Sequence, residues 1–310
     1  MKSAIITGGT GMIGLSLVEY LLDIGIEVTV IVRKSSKRKA LLPVHPLLKT
    51  IDCDLDNLCN LAYESSTSFD AFYHLGWEGT SATDRNNVAL QNNNIIYSTD
   101  AAQLAHRLKC KSFIFAGSQA QYGRVEGLVG PTTATNPEIA YGVAKQCAEA
   151  MTRLVCNQFG IKHCSARILS IYGPNDGENT MVSSTINNLL LGNDTAFTPC
   201  QQMWDYLYCK DAAKALQLMA DKGKVNAIYC LGSGKAKKLE CYIKTIKNII
   251  NPDAILGIGK IPYSPNQVMM LCANIDNLKS DLDFEPEYSF EEGIAETIDW
   301  WRKKLMINYK

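Results

Sequence analysis

The chain of 310 residues has no surplus of either charge, because 31 Lys and Arg residues are balanced by 31 Asp and Glu residues. A surface for nucleic acid or for an anionic membrane needs a basic excess, so neither partner is expected. No apolar run approaches the ~20 residues of a membrane-spanning helix. The apolar start also breaks at Thr7-Gly8-Gly9, which argues against a signal peptide. We therefore expect a cytoplasmic protein.

Patterns that bind metals are also missing. The chain has only four histidines, and its eleven cysteines form no Cys-x-x-Cys pair and no zinc-like spacing with histidine. Scattered cysteines of this kind are typical of small core residues in a reducing compartment. We expect no metal site.

What the sequence does have is an alternation of short apolar segments with segments of helical periodicity over its first half. The predicted strands are Ser3–Thr7, Glu27–Val32, 69–75, 112–116 and 162–169, and the predicted helices are Met12–Asp23, 94–108 and 140–159. This alternation predicts an α/β fold with a Rossmann-type, doubly wound parallel sheet and helices on both faces. Apolar strands with little polar alternation agree, because such a sheet is buried on both sides.

A glycine-rich turn joins the first predicted strand to the first predicted helix. Glycines at these positions permit a tight turn, a close backbone approach to a pyrophosphate and close helix–strand packing. The N-terminus of the helix adds backbone N–H groups and a positive dipole end. The residues expected to bind a dinucleotide here are Gly8, Thr10, Gly11, Met12, Ile13 and Gly14.

The end of the second predicted strand indicates which dinucleotide is preferred. An NAD site usually has an acidic residue there to bind the ribose hydroxyls, but this chain has Arg33 followed by Lys34. A guanidinium cannot accept a hydrogen bond, but it can pair with a 2′-phosphate. NADP(H) is therefore favoured, with NAD(H) left open. The rest of this basic run, 37–39, is expected to be a solvated loop.

Beyond about residue 170, clusters of turn residues such as Gly173-Pro174-Asn175 replace the regular alternation. We expect a smaller, mixed C-terminal lobe with a docked last helix at 290–304. The predicted division is an NADP-binding domain over 1–169, to which part of about 200–222 returns, and a mainly substrate-binding lobe over 170–310.

Tyr141 and Lys145 are the most informative pair in the chain, since residues four apart share one face of a helix. An ammonium group near a phenol favours the phenolate, which would bring the pKa of the tyrosine toward the range useful for proton transfer. The spacing alone is weak, because many such pairs are ordinary surface pairs. It becomes specific through the motifs that accompany it.

With these motifs the chain resembles the extended short-chain dehydrogenase/reductase family, and in particular its nucleotide-sugar branch. The resemblance covers nearly the whole length. It rests on Thr7 to Gly14, Phe115 to Ser118 with Tyr122 and Gly123, Tyr141 with Lys145, Arg167 with Tyr172 to Pro174, Trp204 to Tyr208, and 290–294.

The resemblance implies roles for individual residues. Ser118, Tyr141 and Lys145 would be the catalytic triad, in which Ser118 holds the substrate oxygen, Tyr141 transfers a proton and Lys145 lowers the pKa of Tyr141. Further cofactor-binding residues would be Asp54, Leu55, Leu75, Gly76, Asn94 and Leu169, besides Tyr141 and Lys145. Substrate would contact Ser118, Gln119, Asn175, Trp204 and Lys260. His74 is expected to be structural, and a homodimer would pair through the helices at 94–108 and 141–159.

Departures from the family pattern narrow the reaction. Family dehydratases place an Asp-Glu pair where this chain has Gln119 and Ala120, so dehydration has no obvious acid and base. The two arginines that usually hold the substrate diphosphate are replaced by Trp204 and a residue near Ser264. Lys260, Lys210 and Arg124 are possible substitutes, and the sequence does not rank them.

The expected function is NADPH-dependent reduction of the 4-keto group of an NDP-4-keto-6-deoxyhexose, with CDP or dTDP as the nucleotide. NADP selectivity favours net reduction over the alternative, an NAD(P)-dependent UDP-sugar 4-epimerase. A third hypothesis is an NADP-binding sensor or scaffold without turnover. Such relatives tend to lose the tyrosine or the lysine, and this chain has both.

Overall fold

The computed structural model describes residues 1–62 and 68–308. The strands are β1 (Ser3–Thr7), β2 (Glu27–Val32), β3 (Leu48–Asp52), β4 (Ala71–His74), β5 (Ser112–Ser118), β6 (Leu128–Val129), β7 (Lys162–Ile168), β8 (Ser170–Tyr172), β9 (Met203–Trp204), β10 (Tyr206–Tyr208), β11 (Ala227–Leu231), β12 (Lys237–Lys238) and β13 (Met270–Ala273). The helices are α1 (Met12–Asp23), α2 (Val88–Arg107), α3 (Ala140–Gln158), α4 (Met181–Leu190), α5 (Cys209–Lys222), α6 (Leu239–Ile250), α7 (Asp276–Leu282) and α8 (Phe290–Asn308).

Seven parallel strands form the main sheet in the order β11-β7-β5-β4-β1-β2-β3. From β1 the chain builds outward through β2 and β3, then returns to the other side of β1 as β4. The strand order therefore reverses between β1 and β4, and ligands of such sheets bind outside the carboxyl ends of the strands at this point. The predicted Rossmann-type sheet is confirmed.

Both faces of the sheet are covered, which explains the apolar runs of its strands. Successive side chains of a strand point to opposite faces. Ala4 and Ile6 belong to one buried cluster, on the side of α1 and α5, whereas Ile5 belongs to a second one on the side of α2 and α3. All three are fully buried.

The C-terminal part forms a smaller lobe with its own core. Its four-stranded sheet has the order β12-β9-β13-β6 and mixes antiparallel and parallel pairs, and β8 pairs separately with β10. Ile294, Ile298 and Trp301 of α8 are buried in a cluster shared with α4 and α6. The predicted mixed lobe and the docked last helix are both confirmed, while α5 and β11 return to the main sheet.

Two differences from the predicted elements of the first half have a clear physical reason. Helix α2 begins six residues earlier than expected, because the Asn87 side chain caps it by accepting the Leu90 N–H at 3.2 Å. Its buried face carries polar residues such as Gln91, so the helical spacing of apolar residues is not visible in this part of the sequence. Strand β3 was not predicted at all, because it is an edge strand with exposed residues at Lys49 and Thr50.

Eight of the eleven cysteines are buried and none forms a disulfide, which confirms that they are mostly core residues. Over residues 1–62 and 68–308, no helix has the length and apolar character required to cross a membrane. The same residues contain no group of three or more His, Cys, Asp or Glu side chains that could hold a metal ion.

Candidate active site

The glycine loop packs so tightly that two of its positions require glycine. Gly8 has φ +74, and a Cβ there would lie 2.6 Å from the backbone nitrogen of Gly76. A Cβ on Gly14 would lie 2.2 Å from the carbonyl oxygen of Gly8. At Gly11 the nearest atom would be that same oxygen at 3.4 Å, so this glycine leaves open space beside the loop. The loop thus has the shape of a phosphate cradle.

A cavity of about 680 Å³ opens over this loop at the switch point of the sheet. The predicted cofactor residues in its lining are Gly8, Thr10, Gly11, Arg33, Leu55, Leu75 and Gly76. Lys34 and Asp54 are exposed neighbours of the lining and are not part of it. Met12 and Gly14 lie behind the loop, where Met12 packs against the core of the C-terminal lobe. The cavity therefore combines a glycine cradle with the basic side chains of Arg33 and Arg38, which fits a dinucleotide.

The interpretation of 37–39 as a solvated loop is wrong for Arg38. Its Nε donates to the carbonyl oxygen of Thr10 at 2.8 Å, and its Nη2 donates to that of Asn175 at 3.0 Å. A 3₁₀ turn at Lys37–Leu41 folds this side chain back over the glycine loop, where it lines the cavity. Sequence reasoning missed Arg38 because no local pattern shows that the basic run turns back.

A second cavity of about 480 Å³ adjoins the first and shares Leu75, Trp77 and Thr80 with it. It brings together most of the remaining predicted site residues. These are Ile13, Ser118, Gln119, Tyr141, Lys145, Leu169 and Trp204. The two cavities together place a nucleotide cradle next to the predicted triad.

Two predicted substrate contacts are not brought to this second cavity. Asn175 has φ +66, and its carbonyl group is directed at Arg38, while its neighbour Asp176 lines the cavity. Lys260 is exposed in a loop that is tied to residues 195–198 instead. Of the possible substitutes for the missing arginines, Lys210 pairs with Glu296 and Arg124 with Glu138, both outside the cavity lining.

Ser118 and Tyr141 approach each other from different elements. Ser118 is the last residue of β5, and its Oγ accepts the N–H of Ala120 at 3.2 Å. Tyr141 lies in the first turn of α3 and lines the same cavity as Ser118. Burial raises the pKa of Tyr141, whereas the neighbouring Ser118 hydroxyl group and the charge of Arg85 act to lower it. Since Ser118 Oγ accepts a hydrogen bond from the Ala120 N–H, its own hydroxyl proton is free to be donated to a group in the cavity.

Lys145 is buried one turn further along α3, and its ammonium group contacts a carbonyl oxygen and an indole ring. Its Nζ donates to the carbonyl oxygen of Ala116 at 2.7 Å and lies 3.7 Å from the ring centroid of Trp77. Its distance to the ring centroid of Tyr141 is 5.8 Å. Burial lowers the pKa of this lysine to about 7. Ser118 and Arg85 are the groups that act to lower the pKa of Tyr141, and a role of Lys145 in lowering this pKa stays a prediction.

A buried polar network lies behind Ser118, and sequence reasoning missed two of its members, Gln121 and Glu149. Gln121 Oε1 accepts the N–H of Ser118 at 2.8 Å, and Gln121 Nε2 donates to Glu149 Oε2 at 3.0 Å. Arg167 of β7 binds both carboxylate oxygens of Glu149, at 3.1 and 2.7 Å. Glu149 follows Lys145 by one helical turn, so this ion pair fixes α3 to the sheet.

Asn94 and His74 have supporting positions. The side chain of Asn94 accepts the N–H of Glu78 at 2.8 Å and donates to its carbonyl oxygen at 3.0 Å. It thereby holds the loop that follows β4 and carries Trp77 into both cavities. His74 is buried between the hydroxyl groups of Thr7 and Ser98, at 2.9 and 3.1 Å.

Comparison with known proteins agrees with this arrangement. CDP-abequose synthase of Salmonella typhimurium is 24% identical over 309 residues, which cover 95% of this chain and 96% of that protein. The structure of a UDP-glucose 4-epimerase from Thermotoga maritima, solved with UDP-glucose, superposes with a TM-score of 0.86 at 25% identity, over 98% of this chain and 99% of the other. A UDP-N-acetylglucosamine 4-epimerase from Methanobrevibacter ruminantium, in complex with UDP-N-acetylmuramic acid, also gives 0.86, at 24% identity and with 98% and 99% covered. The model of the NAD dependent epimerase/dehydratase family matches residues 4–232, and the chain belongs to this family.

Proposed function

We propose that the protein reduces the 4-keto group of an NDP-4-keto-6-deoxyhexose with NADPH, with CDP or dTDP as the nucleotide. The observation that carries this proposal is that Ser118 and Tyr141 line one cavity, which adjoins the cavity of the glycine cradle. Gln119 lines that cavity, and neither it nor Ala120 provides the acid and base of a dehydratase. The similarity to an enzyme named for a CDP-linked product supports a CDP-sugar.

The residues of the chain account for the proton in this reaction. The chemistry that NADPH supplies when bound is a hydride, which the ketone carbon receives. Ser118 holds the ketone oxygen by a hydrogen bond, and Tyr141 gives this oxygen its hydroxyl proton. Tyr141 is left as a phenolate and regains a proton from water. Asn94 would support the site through the loop at Glu78, and Leu169, Trp204 and Gln119 would enclose the sugar.

The second candidate function is a UDP-sugar 4-epimerase, which the similarity to two 4-epimerase structures favours. One experiment separates the two functions. Purified protein is mixed with NADPH and a panel of 4-keto sugar nucleotides, and separately with NAD and UDP-hexoses. Consumption of NADPH with a CDP- or dTDP-4-keto sugar is expected. Interconversion of UDP-hexoses without any consumption of NADPH would establish the epimerase instead.

The proposal prefers NADP(H) because of the basic residues that follow β2. Arg33, Ser36 and Arg38 line the first cavity and no carboxylate of the segment 33–39 does, whereas Glu78 and Asp84 line it from the loop that follows β4. A guanidinium pairs well with a phosphate group and cannot accept a ribose hydroxyl proton. We infer that residues 1–169 bind the cofactor, and that most of 170–310 encloses the substrate.

Replacing Arg33 with serine should weaken NADPH binding about tenfold or more, since a charge-assisted hydrogen bond contributes about 1.5–3 kcal/mol. Binding of NADH should stay the same, because it lacks the 2′-phosphate. Both dissociation constants can be measured by nucleotide fluorescence. Lys37→Ser removes the same charge from an exposed residue outside the cavity and serves as the control. Equal weakening of both nucleotides by Arg33→Ser would contradict the assignment.

We further propose that the protein is a homodimer formed through α2 and α3. Val143, Met151 and Leu154 are exposed apolar residues on one face of α3, and Ile96 is exposed on α2. We infer that a second copy of the chain covers this surface, because a symmetric dimer would bury the same apolar residues on both chains.

Changing Leu154 to aspartate should convert the dimer to a monomer, because the change puts a charge in the centre of the proposed interface. Light scattering on a sizing column measures the mass directly. Ile255→Asp alters a residue that is even more exposed but lies far along the chain, and it should leave the mass unchanged. A monomeric wild-type protein would contradict the proposal.

A further inference from the structure

Arg85 contacts the proposed proton donor and has no role in the motifs discussed so far. It precedes α2 and lines the second cavity. Its guanidinium carbon lies 5.2 Å from the ring centroid of Tyr141, and its backbone carbonyl oxygen accepts the N–H of Tyr141 at 2.9 Å. The Arg85 Nε donates to the carbonyl oxygen of Thr80 at 3.0 Å. The ring contact and these two hydrogen bonds therefore place the guanidinium group beside Tyr141.

The charge of Arg85 is not neutralised by a neighbouring carboxylate. Arg124, Arg167 and Arg302 each form an ion pair, whereas no such pair involves Arg85 in the described part of the chain. Its positive charge therefore acts on whatever lies closest, which is the ring of Tyr141 and the cavity.

The other groups described around Tyr141 are uncharged or acidic, except for Lys145, whose ammonium group binds elsewhere. Lys145 on the same helix is directed at the carbonyl oxygen of Ala116. Ser118 faces Tyr141 from the end of β5 with an uncharged hydroxyl group, and Trp77 meets its ring edge-on at 5.9 Å. The acidic groups nearby are Glu78 and Asp84 on the segment that carries Arg85, and Asp176 across the cavity. The Asp84 carboxylate accepts the Ser81 hydroxyl group, and the Asp176 carboxylate is bound by Thr180 and by the N–H of Gly177.

We propose that Arg85 is a positioning residue for proton transfer, whose cation stabilises the phenolate that forms when Tyr141 gives up its proton. In that step the O–H bond of Tyr141 breaks, its electron pair stays on the phenolate oxygen, and the proton forms a new O–H bond on the ketone oxygen. The inference rests on the proposed proton-donor role of Tyr141 and on no particular sugar. The charge of Arg85 indeed acts to lower the pKa of Tyr141.

Absorbance titration of the phenolate tests this without any substrate. The difference between wild type and Tyr141→Phe isolates one tyrosine among fourteen. The same difference is then measured in an Arg85→Gln background. Loss of a partly solvated cation about 5 Å away should raise the midpoint by about one pH unit. Arg85→Lys keeps the charge and should restore most of the wild-type midpoint. Arg302→Gln removes an equal charge on α8, far along the chain, and should change nothing.

The outcomes separate this inference from the proposed function. An unchanged midpoint in Arg85→Gln, together with a raised KM, would overturn the inference and make Arg85 a substrate contact. A Tyr141 signal that is absent up to the onset of alkaline unfolding would overturn it as well. If no 4-keto sugar consumes NADPH but the midpoint still shifts, the proposed function fails and the inference stands.

Discussion

Replacing Tyr141 with phenylalanine should lower kcat for ketone reduction by about 10²–10⁴-fold, the usual contribution of a positioned general acid. The change removes one hydroxyl group and keeps the ring, so the contacts with Trp77 and Arg85 remain. Binding of NADPH should change little, because the glycine cradle and the basic side chains of the cavity are untouched. Stopped-flow or steady-state consumption of NADPH measures the rate, and nucleotide fluorescence measures the binding.

Tyr97→Phe is the matched control for this variant. It removes the same group from α2, on a residue that packs against the core beside the sheet and does not line either cavity. It should therefore keep nearly the full rate. A Tyr141→Phe protein that retains more than about a tenth of the wild-type rate would contradict the assignment of Tyr141 as the general acid. Retained biological output in cells, despite lost turnover, would instead favour the sensor or scaffold hypothesis.

The fold was largely predictable from the sequence, because its information is local. β1 and β5 are unbroken apolar segments, and both are buried on two faces as such segments predict. Failures occurred where local and tertiary signals differ. The start of α2 is polar because Gln91 and Asn94 bond to loops rather than to water. Strand β3 forms because it pairs in parallel with β2, whereas its own residues show little of the pattern typical of a strand.

The site divides in the same way. Ser118, Tyr141 and Lys145 could be named because short motifs carry them, and the structure brings all three to one cavity. Arg38 and Arg85 could not, since each depends on a loop that turns its side chain back toward the cleft. Even for the motif residues, the sequence predicts which side chains lie close together better than it predicts which atoms they bind. The ammonium group of Lys145 lies near Tyr141 yet binds a carbonyl oxygen.

The second cavity shows what replaces one of the two arginines that usually hold the substrate diphosphate in this family. Trp204 lies in its wall, and the indole N–H donates to Ser170 Oγ at 2.8 Å. Arg85 and Lys145 are the cationic residues in the lining over the described residues, and Lys145 is buried. A substrate diphosphate in this cavity would therefore have Arg85 as its exposed cationic partner among the described residues, besides backbone N–H groups and hydroxyl groups.

Loss of the Glu149 carboxylate should have the largest effect on stability. In Glu149→Ala the guanidinium of Arg167 stays buried without its counter-ion, and breaking such a pair costs about 3–5 kcal/mol. The Gln121 amide also loses its acceptor, so the N–H of Ser118 is held less firmly. Urea unfolding at neutral pH measures the free energy of unfolding. Asp299→Ala breaks the exposed pair with Arg302 and should cost about 1 kcal/mol or less.

A double variant separates the packing role of this pair from its role in positioning. Glu149→Leu combined with Arg167→Met replaces the buried ions by apolar side chains of similar size, a change that is often neutral or stabilising. We expect most of the free energy of unfolding to return. The rate of ketone reduction should stay low, because Gln121 still lacks the carboxylate that orients it toward Ser118. Full recovery of the rate together with stability would show that the network only fixes α3 to the sheet, and that the orientation of Ser118 comes from its hydrogen bond to Ala120.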